Sequence, residues 1–385
     1  MDQCRACGAE MKNIENNTFS FGNVPLAGNF CKTKEKAISA AKYPLTLISC
    51  EVCETVQVLH DVSDKILFSE YNYSSSSIGG LNRHFISYAD FLANLYKDKT
   101  EISFLEIGCN DGILLKKLPV HWRKTGVDPS DVAKEFADKN YELFNEPFSK
   151  SLVDGKGLLE SYDVISGSNC LAHISDIKNV FEGVWMALKP GGEFFIEVHN
   201  LYATIEGNQW ETIYHEHKIE WDLESLCNVL LPLGFEFTDV AYLPLHGGLI
   251  RARFKKGNKD KGRIPVKNPR KKELLQQLHK AYLNRYDSDV MRLLQKQNKE
   301  KIIAYGAAGR AVMFLNHMSD LNFNTIIDDS PIRIGKFIPS IATKITDIET
   351  LKNGEFDFCL VTAWNYFDDI IEKNNFFKGK WLKYF

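Results

Sequence analysis

Two Cys-x-x-Cys pairs, Cys4 with Cys7 and Cys50 with Cys53, restrict the N-terminal fold more than any other feature of this 385-residue chain. Each short loop lets both of its sulfurs face one ion, so the four thiolates can complete a tetrahedral zinc site. Residues 8–49 separate the pairs, a longer span than in an ordinary zinc finger. The metal would therefore staple distant segments of a module too small to hold itself together. Four thiolates leave no open coordination position, which makes the expected site structural rather than catalytic. The competing readings are four small buried residues that merely fall in pairs, or redox chemistry. No thioredoxin-like βαβ unit surrounds either pair, so redox is the weaker of the two.

The other five cysteines are scattered. The opening MDQCRACGAE has no apolar signal core, and no run of 18 apolar residues follows, so a cytoplasmic location and reduced thiols are expected. A 44% apolar, 25% charged composition describes an ordinary globular protein, and its length suits two or three domains. The formal net charge of −3 argues against nucleic acid as the main partner, which normally meets a basic excess.

From Glu101 to Phe254 short strand-like runs alternate with helical stretches, the pattern of a mostly parallel sheet covered by helices. The clearest strands are FLEIG, TGVD, YDVISGS and EFFIEVH. FEFTDVAYLPL and LIRARFK flank His246-Gly247-Gly248 and read as an antiparallel hairpin added at the sheet edge. The basic stretch from Lys255 to Lys272, broken by Gly257, Gly262, Pro265 and Pro269, reads as a solvated linker. Leu274, Leu275, Leu278, Ala281 and Tyr282 keep helical spacing, as do Val290, Leu293 and Leu294, predicting a helical connector. IIAYGAAGRA then begins a second strand-turn-helix unit, with later strands at TIIDD and DFCLVTAW. The expected divisions are residues 1–65, 66–256, 257–299 and 300–385.

In FLEIGCNDGILL, Glu106, Gly108 and Gly112 fall at a turn predicted to join a strand to a helix, where small residues admit a ligand close to the backbone. Asp128 ends the next strand, 22 residues after Glu106, placed to accept hydrogen bonds from two ribose hydroxyls. NAD binds by the same logic. The turn lacks G-x-G-x-x-G spacing, however, with Cys109 and Asn110 after Gly108. The order of YDVISGSNCLAHI and LKPGGEFFIEVH after it resembles strands four and five of class I methyltransferases, which implies S-adenosylmethionine. The candidate cofactor contacts are Glu106, Gly108, Asn110, Asp111, Gly112, Asp128 and Asn169.

EGNQWETIYHEHKIEW gathers Tyr214, His215, Glu216 and His217 just after the fifth strand. Neither a strand nor a helix can aim all four into one pocket, so two or three at most should converge. Their density beside the strand ends, where ligands of α/β folds collect, favours function over satisfied core histidines. With the four cysteines, YNYSSSS, LEIGCNDG, NCLAHI, YHEH, HGG and AYGAAGRA, the chain resembles the nucleotide-sugar C-methyltransferases of deoxysugar biosynthesis over nearly its whole length.

That resemblance implies an α/β fold with a small N-terminal zinc-binding module, a central class I methyltransferase (Rossmann-like) domain and a smaller C-terminal Rossmann-like domain that helps bind the nucleotide. It implies methylation at C3 of a 4-keto-6-deoxy sugar on a nucleoside diphosphate, with thymidine or guanosine as carrier. His217 resembles the catalytic base, with Tyr214 and Glu216 beside it, and His173 and Tyr73 or Tyr71 match active-site positions. Candidate substrate contacts are Ser74, Ser75, Asn208, His215, His246 and Arg310. The tail turn GAAGRA departs from a family pattern that more often carries proline and lysine, and Arg310 is the residue able to replace the positive charge. HGGLIRAR also departs from the HGGS-type run.

The proton on C3 of such a sugar is acidic because the neighbouring ketone accepts its charge as an enolate. The expected assignment makes His217 the base, has Glu216 orient the histidines, and has His173 with a tyrosine stabilise the oxyanion. An O- or N-methyltransferase on another small molecule and a non-catalytic zinc-containing binding protein are the rival readings.

Overall fold

The computed structural model describes residues 3–67, 75–77, 79–257, 266–321 and 323–385. Tyr71, Tyr73 and Ser74 lie outside the described residues. In the N-terminal part, β1 (Thr18–Val24), β2 (Tyr43–Ser49) and β3 (Val56–Val58) form an antiparallel ladder in which Leu47 stands opposite both Phe19 and Val58. Next come β4 (Ser103–Ile107), β5 (Arg123–Val127), β6 (Glu142–Phe144), β7 (Tyr162–Ser168) and β8 (Leu188–His199). They are followed by the two-residue β9 (Ile219–Glu220) and the hairpin strands β10 (Phe235–Leu243) and β11 (Leu249–Lys256).

Seven of these strands form the central sheet in the order β10-β11-β8-β7-β4-β5-β6. The β8-β7-β4-β5-β6 contacts are parallel, and the hairpin joins with β11 antiparallel to β8. Parallel strands covered on both faces need apolar residues at nearly every position, which is how the buried runs of β4, β7 and β8 read. Strand order reverses between β4 and β7. The crevice outside their carboxyl ends is the natural ligand site of such a sheet.

The expected helix after β4 does not form. Residues 110–117 close as successive turns, with Lys116 N–H donating to the Gly112 carbonyl at 2.9 Å. Gly108, Asn110 and Gly112 all have positive φ, which interrupts the right-handed run a helix requires.

The last sheet holds β12 (Ile302–Tyr305), β13 (Thr325–Ile327), β14 (Lys344–Thr346), β15 (Phe358–Val361) and β16 (Lys380–Lys383). It is wholly parallel, in the order β14-β13-β12-β15-β16, a second doubly wound arrangement. Asp328, just past β13, accepts the amides of Ala307 at 2.6 Å and Ser330 at 2.8 Å, and it pairs with Arg333.

Contacts across the sheets make one body. β9 pairs antiparallel with β3, Val56 opposite Glu220, so a segment just past the YHEH run completes the N-terminal sheet. Outside the strands, Cys31 and Phe337 exchange backbone hydrogen bonds of 3.0 and 2.8 Å that join the N-terminal part to the last α/β unit. The connector helix Lys271–Leu283 packs on β1, where the Tyr282 hydroxyl donates to the Phe21 carbonyl at 3.0 Å. The solvated reading of the basic stretch fails at both ends. Lys256 is buried and donates to the Leu188 carbonyl at 2.7 Å, while Lys271 is buried 2.6 Å from the Asp222 carboxylate. Among the described residues no helix is long and apolar enough to cross a membrane.

Trp210 sits where the parts meet, 1% exposed, stacked 5.7 Å from Phe314 and edge-on to Tyr282. Replacing Trp210 with Ala should cost about 3–5 kcal/mol, because the large void cannot collapse against three separate elements. Urea unfolding followed by far-UV circular dichroism measures the loss; a change below about 1 kcal/mol would contradict this account of the core.

Candidate active site and zinc centre

The two cysteine loops repeat one backbone pattern. Gly8 N–H donates to the Cys4 carbonyl and Glu54 N–H to the Cys50 carbonyl, both at 2.9 Å. Gly8 and Glu54 are both left-handed, with φ of 77° and 62°, which turns each chain back so that Ala9 and Thr55 accept from Cys4 and Cys50. The sulfurs approach in pairs, Cys4 to Cys53 at 3.7 Å and Cys7 to Cys50 at 3.8 Å, and all four lie within 4.8 Å of one another. A tetrahedron with Zn–S distances of about 2.3 Å separates its sulfurs by about 3.8 Å, so the donor set fits zinc.

At the switch point, Gly108 has φ 68°, and a Cβ there would stand 2.5 Å from the Cys170 Cβ. Asp128 is fixed by two amides, Asn110 N–H on Oδ2 and Ser130 N–H on Oδ1, each at 2.8 Å. Each carboxylate oxygen keeps a second acceptor site for a ribose hydroxyl. Buried Glu106 has an Oε2 without a partner among the described residues. Burial, then the nearby Asp128 and Asp111 charges, hold its carboxyl well above the usual range. Such a group fits a polar ligand at this place. The side chains of Asn110 and Asp111 instead accept the amides of Ser75 at 3.0 Å and Ser76 at 2.8 Å, anchoring the serine run over the turn. Asn169, left-handed at φ 58°, donates its amide to the Glu197 carbonyl at 2.8 Å.

Beyond the crevice the YHEH run forms a turn closed by His217 N–H on the Tyr214 carbonyl at 3.0 Å. This turn sends residues 214 and 217 to one side and 215 and 216 to the other. The Tyr214 hydroxyl lies 2.8 Å from His217 Nε2, while His217 Nδ1 lies 3.1 Å from the Thr212 carbonyl. A carbonyl can only accept, which assigns the proton to Nδ1 and leaves Nε2 to accept from Tyr214. By the same argument His173 carries its proton on Nδ1, donating to the Glu216 carbonyl at 2.7 Å. The two rings are 5.1 Å apart. Burial first, then neighbouring positive charge, pushes both down to about 3, so both stay neutral in ordinary buffers.

His215 and Glu216 face the N-terminal module. His215 Nε2 meets the Pro44 carbonyl at 3.3 Å, and the Glu216 carboxylate accepts Gly28 N–H at 3.0 Å. The Glu216 side chain therefore does not orient His217; its peptide carbonyl orients His173. Asn208 is an exposed left-handed turn residue, and the neighbouring Gln209 is the one that turns inward, donating to the Gly247 carbonyl at 3.0 Å.

Arg310, on the helix Gly309–His317, crosses from the last sheet into this cluster. Its Nη2 donates to His199 Nε2 at 2.7 Å and to the His246 carbonyl at 2.6 Å, and the His199 and His246 rings stack 6.0 Å apart. Burial and Arg310 push His246 down to about 3. Two buried carboxyls complete the surroundings. Glu211 accepts Trp364 Nε1–H at 2.8 Å, and Glu220 lies 3.7 Å from His217 Nδ1. Burial raises them to about 7 and about 8, with Arg310 opposing both shifts. His199, Glu211 and Glu220 were not among the candidates read from the sequence. His199 had a usable signal, since it is the last residue of a strand whose carboxyl end faces the crevice.

A ligand crevice at the switch point, an acid-capped second strand and an added antiparallel hairpin define an S-adenosylmethionine-dependent methyltransferase. Residues 82–240 match the family model of a methyltransferase domain, residues 4–68 that of a zinc-binding domain, and residues 244–384 that of a C-methyltransferase C-terminal domain. The chain is 27% identical to the C-methyltransferase NovU of Streptomyces niveus, covering 98% of this chain and 93% of that one. Together the three matches and the relative support an S-adenosylmethionine-dependent C-methyltransferase over the O- and N-methyltransferase and non-catalytic readings. Its cofactor is S-adenosylmethionine, its metal is zinc, and its acceptor is a small molecule. Among solved structures, the CurJ carbon methyltransferase is similar at 16% identity over 45% of this chain and 54% of that one, TM-score 0.35. A 1,6-didemethyltoxoflavin-N1-methyltransferase from Burkholderia thailandensis is similar at 15% identity over 53% and 96%, TM-score 0.33.

Gly108→Val should weaken S-adenosylmethionine binding at least about tenfold, since the branched side chain fills the crevice and strains the positive φ. Calorimetric titration measures it, with unchanged zinc content as the control for folding. Cys50→Ala should lose the zinc seen by elemental analysis and lower the melting temperature by several degrees. Retention of one zinc per chain would overturn the four-thiolate assignment.

Proposed function

We propose that this C-methyltransferase acts on C3 of a 4-keto-6-deoxy sugar carried on a nucleoside diphosphate, with thymidine or guanosine as the base. The observation that carries the reading is the pair of neutral imidazoles, buried His217 and half-buried His173, next to Tyr214 beside the cofactor crevice. A carbon acceptor becomes nucleophilic only after losing a proton, and a C–H beside a ketone is acidic enough for a histidine base. Bound S-adenosylmethionine supplies the methyl group as an activated electrophile. Glu106, Asp128 and the Gly108 turn would hold it.

His217 Nε2 takes the C3 proton. The Tyr214 hydroxyl, which donates to that nitrogen in the free protein, turns to the ketone oxygen as negative charge develops there. His173 presents an acceptor in this tautomer, so it suits a sugar hydroxyl better than the oxyanion role first expected of it. Positive charge comes instead from Arg310, whose buried Nη1 has no partner among the described residues. The remaining proposed contacts, Tyr71, Tyr73 and Ser74, belong to the segment before Ser75.

Incubating the protein with S-adenosylmethionine and a panel of thymidine- and guanosine-linked 4-keto-6-deoxy sugars tests this. A mass gain of one methylene and a C3-methyl resonance in the product are expected. His217→Asn should lower turnover at least about 100-fold and stop C3 proton exchange with solvent, while cofactor affinity stays unchanged. Near-normal exchange in that variant would remove His217 as the base, and methylation of no panel member would remove the sugar.

A further inference from the structure

Glu220 is a buried carboxyl whose Oε1 has no hydrogen-bond partner among the described residues. It is 1% exposed and lies 3.7 Å from His217 Nδ1, just outside hydrogen-bond distance of the nitrogen that donates to Thr212. Leaving such a group unsatisfied is costly, and a group poised beside a proton acceptor is most useful when charge appears there. It is also held in place. Glu220 stands opposite Val56 in the β3–β9 ladder, three residues beyond the zinc ligand Cys53, so its backbone cannot drift from His217 without unpairing that ladder.

We propose that Glu220 is a positioning residue for His217, taking up the Nδ1–H of the imidazolium that forms when Nε2 accepts the substrate proton. This rests on the C–H deprotonation reading of the site. In the step, the C3–H bond breaks and its electron pair stays on the substrate as the enolate. The proton goes to His217 Nε2. The Nδ1 proton remains on nitrogen and moves its hydrogen bond from the Thr212 carbonyl to Glu220 Oε1, pairing the new positive charge with a carboxylate. The bond from C3 to the methyl group would then form as the methyl–sulfur bond breaks, its electron pair leaving on the thioether, and His217 returns its extra proton to water. In general a base works best when a third group orients it and stabilises its protonated form.

Among the described residues, two charged or titratable groups face Glu220: His217 from the preceding turn and Arg310 from the last sheet's helix. Opposite it β3 presents Val56 and Gln57, which are uncharged. Burial pushes the Glu220 carboxyl up to about 8, against the pull of Arg310. Only the ionised form can pair with an imidazolium, so turnover should rise with pH through that region and level off above it.

The test compares the zinc-loaded full chain with Glu220→Gln and Glu220→Asp. Glu220→Gln should keep its zinc, cofactor affinity and sugar KM within about twofold, lose kcat at least about tenfold, and lose the rising alkaline limb. Glu220→Asp should restore part of that limb. A second readout needs no sugar: in protein labelled with 15N-histidine, the His217 Nδ1 resonance should shift as Glu220 ionises in the wild type and stay flat in Glu220→Gln. Unchanged kcat and pH profile in Glu220→Gln, or a wild-type resonance indifferent to alkaline pH, would overturn the proposal. If the wild type methylates no panel sugar, the sugar reading falls by itself, and the resonance alone decides Glu220.

Discussion

The short ladder between β3 and β9 is the interaction on which the rest of the molecule depends. Two residue pairs suffice: Val56 with Glu220 and Gln57 with Ile219. On one side the ladder continues directly from the second cysteine loop, so the geometry imposed by four converging sulfurs reaches β3 with little slack. On the other side it fixes the chain three residues past His217. The carboxylate of Glu216, seated on the Gly28 amide, and the His215 contact with Pro44 tie the same turn to the same module. The zinc centre is thus structural in a particular sense: it is the reference frame for the side chains that face the substrate.

The pocket itself is an electrostatic balance in a dry setting. His173, His199, His217 and His246 are kept neutral by burial, and for His199, His217 and His246 the guanidinium of Arg310 adds to the cost of charging them. Glu211 and Glu220 are pushed the other way by the same burial. The resting site therefore stores little net charge around a base that must soon become a cation beside an anion. Because Arg310 comes from the third sheet, the methyltransferase core does not complete this balance alone; the C-terminal unit supplies part of the pocket wall.

Much of this was legible in the residues. The runs FLEIG, TGVD, YDVISGS and EFFIEVH became β4, β5, β7 and β8 because buried parallel strands leave long apolar runs between glycine and polar turns. The cysteine pairs announced their cluster through spacing alone. What was not legible depended on local turns and on distant partners. The helix expected after β4 failed where three positive-φ residues fall within five positions. Asn208, His215 and the Glu216 carboxylate were expected in the site, and a single tight turn with its flanks points them elsewhere. Glu220 looked like one polar residue between Ile219 and Trp221. Only the pairing with Val56 brings it beside His217, and nothing within either segment encodes that meeting.

The β3–β9 ladder also bears on how the chain is made. During synthesis the cysteine loops and β1 to β3 emerge ahead of the cofactor-binding core, and they can gather a metal ion long before Ile219 and Glu220 exist. Until then β3 is an open sheet edge, with backbone donors and acceptors available to any passing strand. Contacts this distant in sequence close late in folding. The nascent protein must therefore carry a metal-set but unfinished sheet through the synthesis of its whole cofactor-binding core, the interval in which mispairing with another copy competes most strongly with the native closure.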